Sequence, residues 1–151
     1  MKWKAAIGEV LAETGLAATV RDGDGAFSLL FDNEHEVSFE PDADDGSVLF
    51  HAEVGDSASL DAAGLRSLLE ASLLGANTAG AAFSIDSRFG KVVLWKRCHE
   101  FSSAAALRRE LEAFLGQVIH WKARIADGFA EAATAERSDS STGFAGAFLQ
   151  V

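Results

Sequence analysis

Nowhere in its 151 residues does the chain hold the roughly 20 consecutive apolar residues that a membrane-spanning helix needs. Its opening, Met1-Lys2-Trp3-Lys4-Ala5-Ala6-Ile7-Gly8-Glu9, sets an acid where an export signal would carry its apolar stretch, so no such signal is expected. Cysteine is nearly absent. The single Cys98 excludes an intrachain disulfide and agrees with a cytoplasmic protein. Basic residues are also scarce: 13 Lys and Arg stand against 23 Asp and Glu, and the net charge of −10 argues against binding nucleic acid phosphates. From Asp22 to Asp61 there are twelve acids and no Lys or Arg, whereas Arg88 to Arg124 carries eight basic residues against three acids. Such an acidic block is either a solvated face that keeps the protein dispersed, or a field that draws in a basic or neutral partner segment.

Catalytic constellations are missing too. His35, His51, His99 and His120 do not pair at metal-ligand spacing, and on a strand the adjacent Cys98 and His99 point to opposite faces. A Cys-His nucleophile would need an orienting acid and an oxyanion hole, and neither is signalled nearby. The run Asp22-Gly23-Asp24-Gly25 lacks the Lys-Ser/Thr ending of a phosphate loop and the length and glutamate of a calcium loop, so it reads as a turn. Carboxylate pairs such as Glu34/Glu36 and Asp44/Asp45 read as solvated charge on exposed strand edges and loops, whereas catalytic carboxylates usually need burial or a charged neighbour. No enzyme activity, cofactor or metal is expected.

What is present is an apolar fraction of 48 %, which excludes a wholly disordered chain, at a length suited to one core. Trp3, Ile7, Val10 and Leu11 recur at helical spacing and predict a helix over Trp3–Thr14, with Gly15 as terminator. Alternation predicts strands over Ala26–Phe31, Glu34–Glu40 and Val48–Val54, joined by short acidic turns as an antiparallel meander. A second helix, capped by Ser59 or Asp61, carries Leu65, Leu68, Leu69 and Leu73 and ends near Gly75 and Asn77. Strands over Ala81–Ile85 and Lys91–Arg97 follow. A long third helix, capped by Ser102 or Ser103, bears the stripe Leu107, Leu111, Phe114, Val118, Trp121, Ile125 and Phe129. The expected fold is α+β, in the order helix, three strands, helix, two strands, helix, with helices packed on an antiparallel twisted sheet. Residues 1–135 form the domain; 136–151 are a polar linker and an apolar tail that either frays or docks on this chain or a second copy.

Strand aromatics and apolar residues on both strand faces exceed what one set of helices must cover: Val92 and Leu94 share one face, Val93 and Trp95 the other. Either the sheet is buried on both sides, or an uncovered face and edge receive an extended peptide. For the set as a whole, an apolar surface left for a partner is the better account.

The segment Leu65-Arg66-Ser67-Leu68-Leu69-Glu70-Ala71-Ser72-Leu73-Leu74-Gly75-Ala76-Asn77-Thr78-Ala79-Gly80-Ala81-Ala82-Phe83-Ser84-Ile85-Asp86 resembles the Tir chaperone (CesT-like) family of type III secretion chaperones. Lys91-Val92-Val93-Leu94-Trp95-Lys96-Arg97 and the later Leu111-Glu112-Ala113-Phe114-Leu115 with Trp121 fit the same pattern. Ser72 stands where the family often has Asn, and Ala79 where it often has Gly. The resemblance implies a homodimer of α/β sandwich protomers that holds the N-terminal region of a secreted effector in extended form, without ATP. It implies a two-fold interface from the second helix and the neighbouring strand, with Leu65, Leu68, Leu69, Leu73, Ala82 and Phe83. The proposed effector grooves take Ile7, Val10, Leu11, Phe27, Leu29, Phe31 and Phe39, with Glu34 and Glu36 in an acidic rim. The client is either an effector or a secretion regulator whose capture couples secretion to transcription, and the secretion ATPase is a further possible partner.

Overall fold

A computed structural model describes residues 2–16, 18–20 and 25–129. The elements are α1 (Trp3–Thr14), β1 (Ala18–Val20), β2 (Phe27–Phe31), β3 (His35–Pro41), β4 (Val48–Asp56), α2 (Ala62–Ala71), β5 (Ala82–Asp86), β6 (Lys91–Cys98) and α3 (Ala104–Ala126). The class and element order match expectation. One strand was not anticipated: β1 pairs antiparallel with β2, so the sheet has six strands in the order β1-β2-β3-β4-β6-β5.

Local chemistry sets the element ends. Gly15, at φ 68, closes α1 by donating its N–H to the Leu11 carbonyl at 3.0 Å. Of the candidate caps, Asp61 and Ser103 do the work, each accepting a backbone N–H three residues on, from Gly64 at 2.8 Å and Ala106 at 3.1 Å. Asp32 and Asn33 both take left-handed φ, and the Glu34 N–H donates to Phe31 O to close the β2–β3 turn.

Helices α1 and α3 bury their apolar stripes in one core on one face of the sheet, and α2 adds Leu68 and Ala71 to it. A row of rings crosses that core: Phe27 stacks on Phe39 at 4.6 Å, Phe39 meets Phe50 edge-on at 4.8 Å, and Phe50 meets Phe114 of α3 at 6.0 Å. Phe129 lies beyond the end of α3, yet it is buried and packs toward Trp121.

Helix α3 packs against β4 at Gly55, beside a bulge that shifts the β4–β6 register between Glu53 and Gly55. A Cβ at Gly55 would lie 2.5 Å from Ile125 Cγ2 and 3.3 Å from Ile125 Cβ, so only glycine fits without moving the helix. Gly55→Val is therefore expected to destabilise the fold by about 1–3 kcal/mol, the usual range for overpacking. A urea midpoint unchanged from the parent protein would contradict this packing.

Candidate partner-binding surfaces

Because the helices occupy one face, the sheet's other face is uncovered among the described residues. Strand pairing fixes what it presents. One cross-strand row runs Ser28, Ser38, His51, Trp95, Ala82; beside it Leu30 opposes Glu36, and Glu53, Val93 and Ser84 follow one another; on the other flank lie Glu40, Leu49 and Arg97. Apolar and acidic side chains thus interleave across the face.

Several of these groups are held in place. Ser28 and Ser38 hydrogen-bond at 3.0 Å, and Trp95 Nε1 donates to Ser84 Oγ at 2.8 Å. His51 Nε2 lies 2.9 Å from Glu40 Oε1. Arg97 donates to Asp42 at 2.8 Å and to Ser47 at 2.7 Å, holding the Asp42 carboxyl below the usual carboxylate range. That guanidinium is thereby spent on the β3–β4 turn.

A second surface lies at the far edge of the sheet, where β5 is the terminal strand and, among the described strands, pairs with β6 alone. The chain reaches this edge from α2 through a loop of unusual backbone. Leu74 sits at φ 53 and Gly75 at φ 69, and a Cβ on Gly75 would fall 2.5 Å from Gly80 Cα. The Gly80 N–H donates to Gly75 O, and Thr78, wholly buried, donates its hydroxyl to Ala81 O. Ser72 accepts the Phe83 N–H at 3.2 Å and donates to Leu68 O, tying the end of α2 to β5. Leu73 and Leu74 of this turn are 69 % and 95 % exposed in the protomer, and Leu69 on α2 ahead of it is 71 % exposed.

The residues singled out from sequence divide accordingly. Leu69 and Leu73 lie on the exposed patch, and Leu65, Ala82 and Phe83 are partly buried at its margin. Leu68 belongs to the protomer's own core, so it offers nothing to a second copy in this arrangement. Ile7, Val10, Phe27, Leu29 and Phe39 are likewise buried in the protomer's core. Leu11 and Phe31 keep part of their surface, and Glu34 and Glu36 are exposed. Sequence reasoning missed Ile85 and Phe89, both exposed at the β5–β6 end; Phe89 sits inside a run of polar turn residues, where no periodicity marks it.

Burial pushes the Cys98 thiol up to about 11, away from the reactive thiolate. Among the described residues no group of three or more His, Cys, Asp or Glu could hold a metal ion, and no helix is long and apolar enough to cross a membrane.

Comparison with known proteins gives this geometry a context. The chain is similar in structure to a chain of the ExsC–ExsE complex, at TM-score 0.68 and 22 % identity, covering 83 % of this chain and 96 % of that one. It is similar to a chain of the HopA1–SchA chaperone–effector complex at TM-score 0.66 and 18 % identity, covering 80 % and 92 %. The Yersinia pestis type III secretion chaperone SycH structure, in complex with a stable fragment of YscM2, gives TM-score 0.60 and 15 % identity, covering 78 % and 97 %. At these identities the likeness concerns the fold. No curated protein sequence matches the chain. The model of the Tir chaperone protein (CesT) family matches residues 5–122, and a match over that much of the chain makes this protein a member of that family of type III secretion chaperones.

Proposed function

We propose that this protein is a cytoplasmic type III secretion chaperone that binds the N-terminal region of a secreted effector as an extended segment, keeps it secretion-competent and works without ATP. Family membership carries the reading. The geometry supports it: a six-stranded sheet with one face uncovered among the described residues is a platform for another polypeptide. The working unit is a homodimer. Leu69, Leu73 and Leu74 form an apolar patch beside the terminal strand β5, and a symmetric copy would bury both patches at once. The chaperone domain spans 1–135; the polar linker and apolar tail at 136–151 lie outside the described residues.

Co-expression with N-terminal fragments of the proteins encoded beside it tests this. One fragment is expected to co-purify and, once bound, to become resistant to proteolysis without acquiring a cooperative melt of its own. Failure of every fragment to co-purify, effector and regulator alike, would overturn the reading.

A further inference from the structure

The uncovered sheet face carries a hollow of about 440 Å³ whose apolar lining includes Leu49 of β4 and Val93 and Trp95 of β6. All three are only partly covered. Trp95 opposes His51, which sets Leu49 diagonally beside it, and the bond from Trp95 Nε1 to Ser84 Oγ keeps the indole in place. Every charged side chain that lines this hollow is engaged within the protomer. Glu40 meets His51 Nε2 at 2.9 Å, Asp86 and Arg88 meet at 2.9 Å, and Arg97 donates to Asp42 at 2.8 Å. A surface whose charges are paired and whose centre is apolar suits a neutral, apolar occupant.

The chain itself carries such a segment. Residues 143–151 hold Phe144, Phe148, Leu149 and Val151 and no Lys, Arg, Asp or Glu. Phe144 and Phe148 are four positions apart, so a strand or a helix alike would turn both to one side. The segment is also within reach. The described residues end at Phe129, and Gly128 lines a cleft with Gly55, Asp56 and Lys91, where β4 ends and β6 begins. From there to Trp95 the path crosses the thickness of the sheet and four residues of β6, roughly 25 Å. The intervening residues 130–142 can span at most about 43 Å, and a coil of that length averages about 20 Å. The other apolar patch, at Leu69, Leu73 and Leu74, is taken by the second copy in the proposed dimer.

We propose that segment 143–151 docks on the uncovered sheet face of its own chain, with Phe144 and Phe148 over Leu49, Val93 and Trp95, and holds that face until a client displaces it. The docking stands on reach and on the chemistry of the hollow; the displacement rests on the chaperone reading. A tethered segment competes at high effective concentration, so only a client that binds the face well takes its place.

Trp95 reports on the docking, because the other two tryptophans, Trp3 and Trp121, are buried in the core. Acrylamide quenching is measured on the full-length protein and on its Phe144→Ser/Phe148→Ser variant. The variant is expected to expose Trp95 to quenching severalfold more, with the circular dichroism spectrum of the parent. Phe144→Leu/Phe148→Leu should keep the shielding, and in a Trp95→Phe background the parent and serine tails should quench alike. Co-expressing a Trp95→Phe chain that has the parent tail with a Trp95 chain that has the serine tail tests which face the tail covers; the remaining Trp95 is expected to stay accessible. Equal quenching of parent and serine variant, or a difference that persists without Trp95, would overturn the docking. Shielding of Trp95 in the co-expressed pair would place the tail on the second copy and overturn its assignment to its own chain. With a client fragment that co-purifies, the serine variant is expected to bind about tenfold more tightly, the gain from freeing a face that is about nine-tenths occupied. Equal affinities would overturn the displacement. If no fragment co-purifies, the chaperone reading fails, while quenching still decides the docking.

Discussion

Replacing Leu69 and Leu73 together by aspartate is expected to turn the proposed dimer into a folded monomer. Both side chains are about 70 % exposed in the protomer, so the core does not depend on them. In a two-fold interface each substitution acts twice. Four leucines at about 1.5–3 kcal/mol each amount to at least about 6 kcal/mol before the burial of charge is added. That corresponds to roughly four orders of magnitude in the dimer dissociation constant, enough to leave monomer at micromolar concentration. Sedimentation velocity together with a thermal melt checks it: monomer mass with an unchanged melt is the expected pair. A full-strength dimer from the double variant would remove these leucines from the interface.

Phe39→Ala is expected to have the largest effect on the protomer itself. Phe39 is 1 % exposed and joins Phe27 on β2 to Phe50 on β4, so truncation cuts the ring row in the middle. The neighbours are fixed by strand pairing, Phe27↔Phe39 and Phe39↔Phe50, and cannot collapse into the gap. A loss of about 3–5 kcal/mol follows, against a total that for natural domains is about 5–15 kcal/mol. Phe39→Leu keeps most of the volume and should cost far less. Urea unfolding of both variants distinguishes the two cases, and equal midpoints would mean that the ring row is not what stabilises this part of the sheet.

Period-2 and period-3.6 patterns made most of the fold legible before any coordinates. Trp3–Thr14 was bounded by its apolar spacing and by Gly15, and α3 by a stripe from Leu107 to Ile125 that nothing interrupts. β1 was not legible, because three residues are too few to display alternation and the strand exists only by pairing with β2. The partner surfaces were half legible. Periodicity showed that β6 carries apolar side chains on both faces, but not which face α1 and α3 would cover. That choice placed Phe27, Leu29 and Phe39 in the core and left Leu30, Leu49 and Trp95 outside. Nor could a helical wheel find the outward turn of Leu74, which depends on its left-handed backbone and on Gly75 lying against Gly80.

The central claim is a dimer that holds a client segment, and the mass of the co-expressed complex by light scattering tests it most directly. The account predicts two chains of 15.9 kDa with one client fragment. A single chain that carries no fragment at any concentration tried would contradict it.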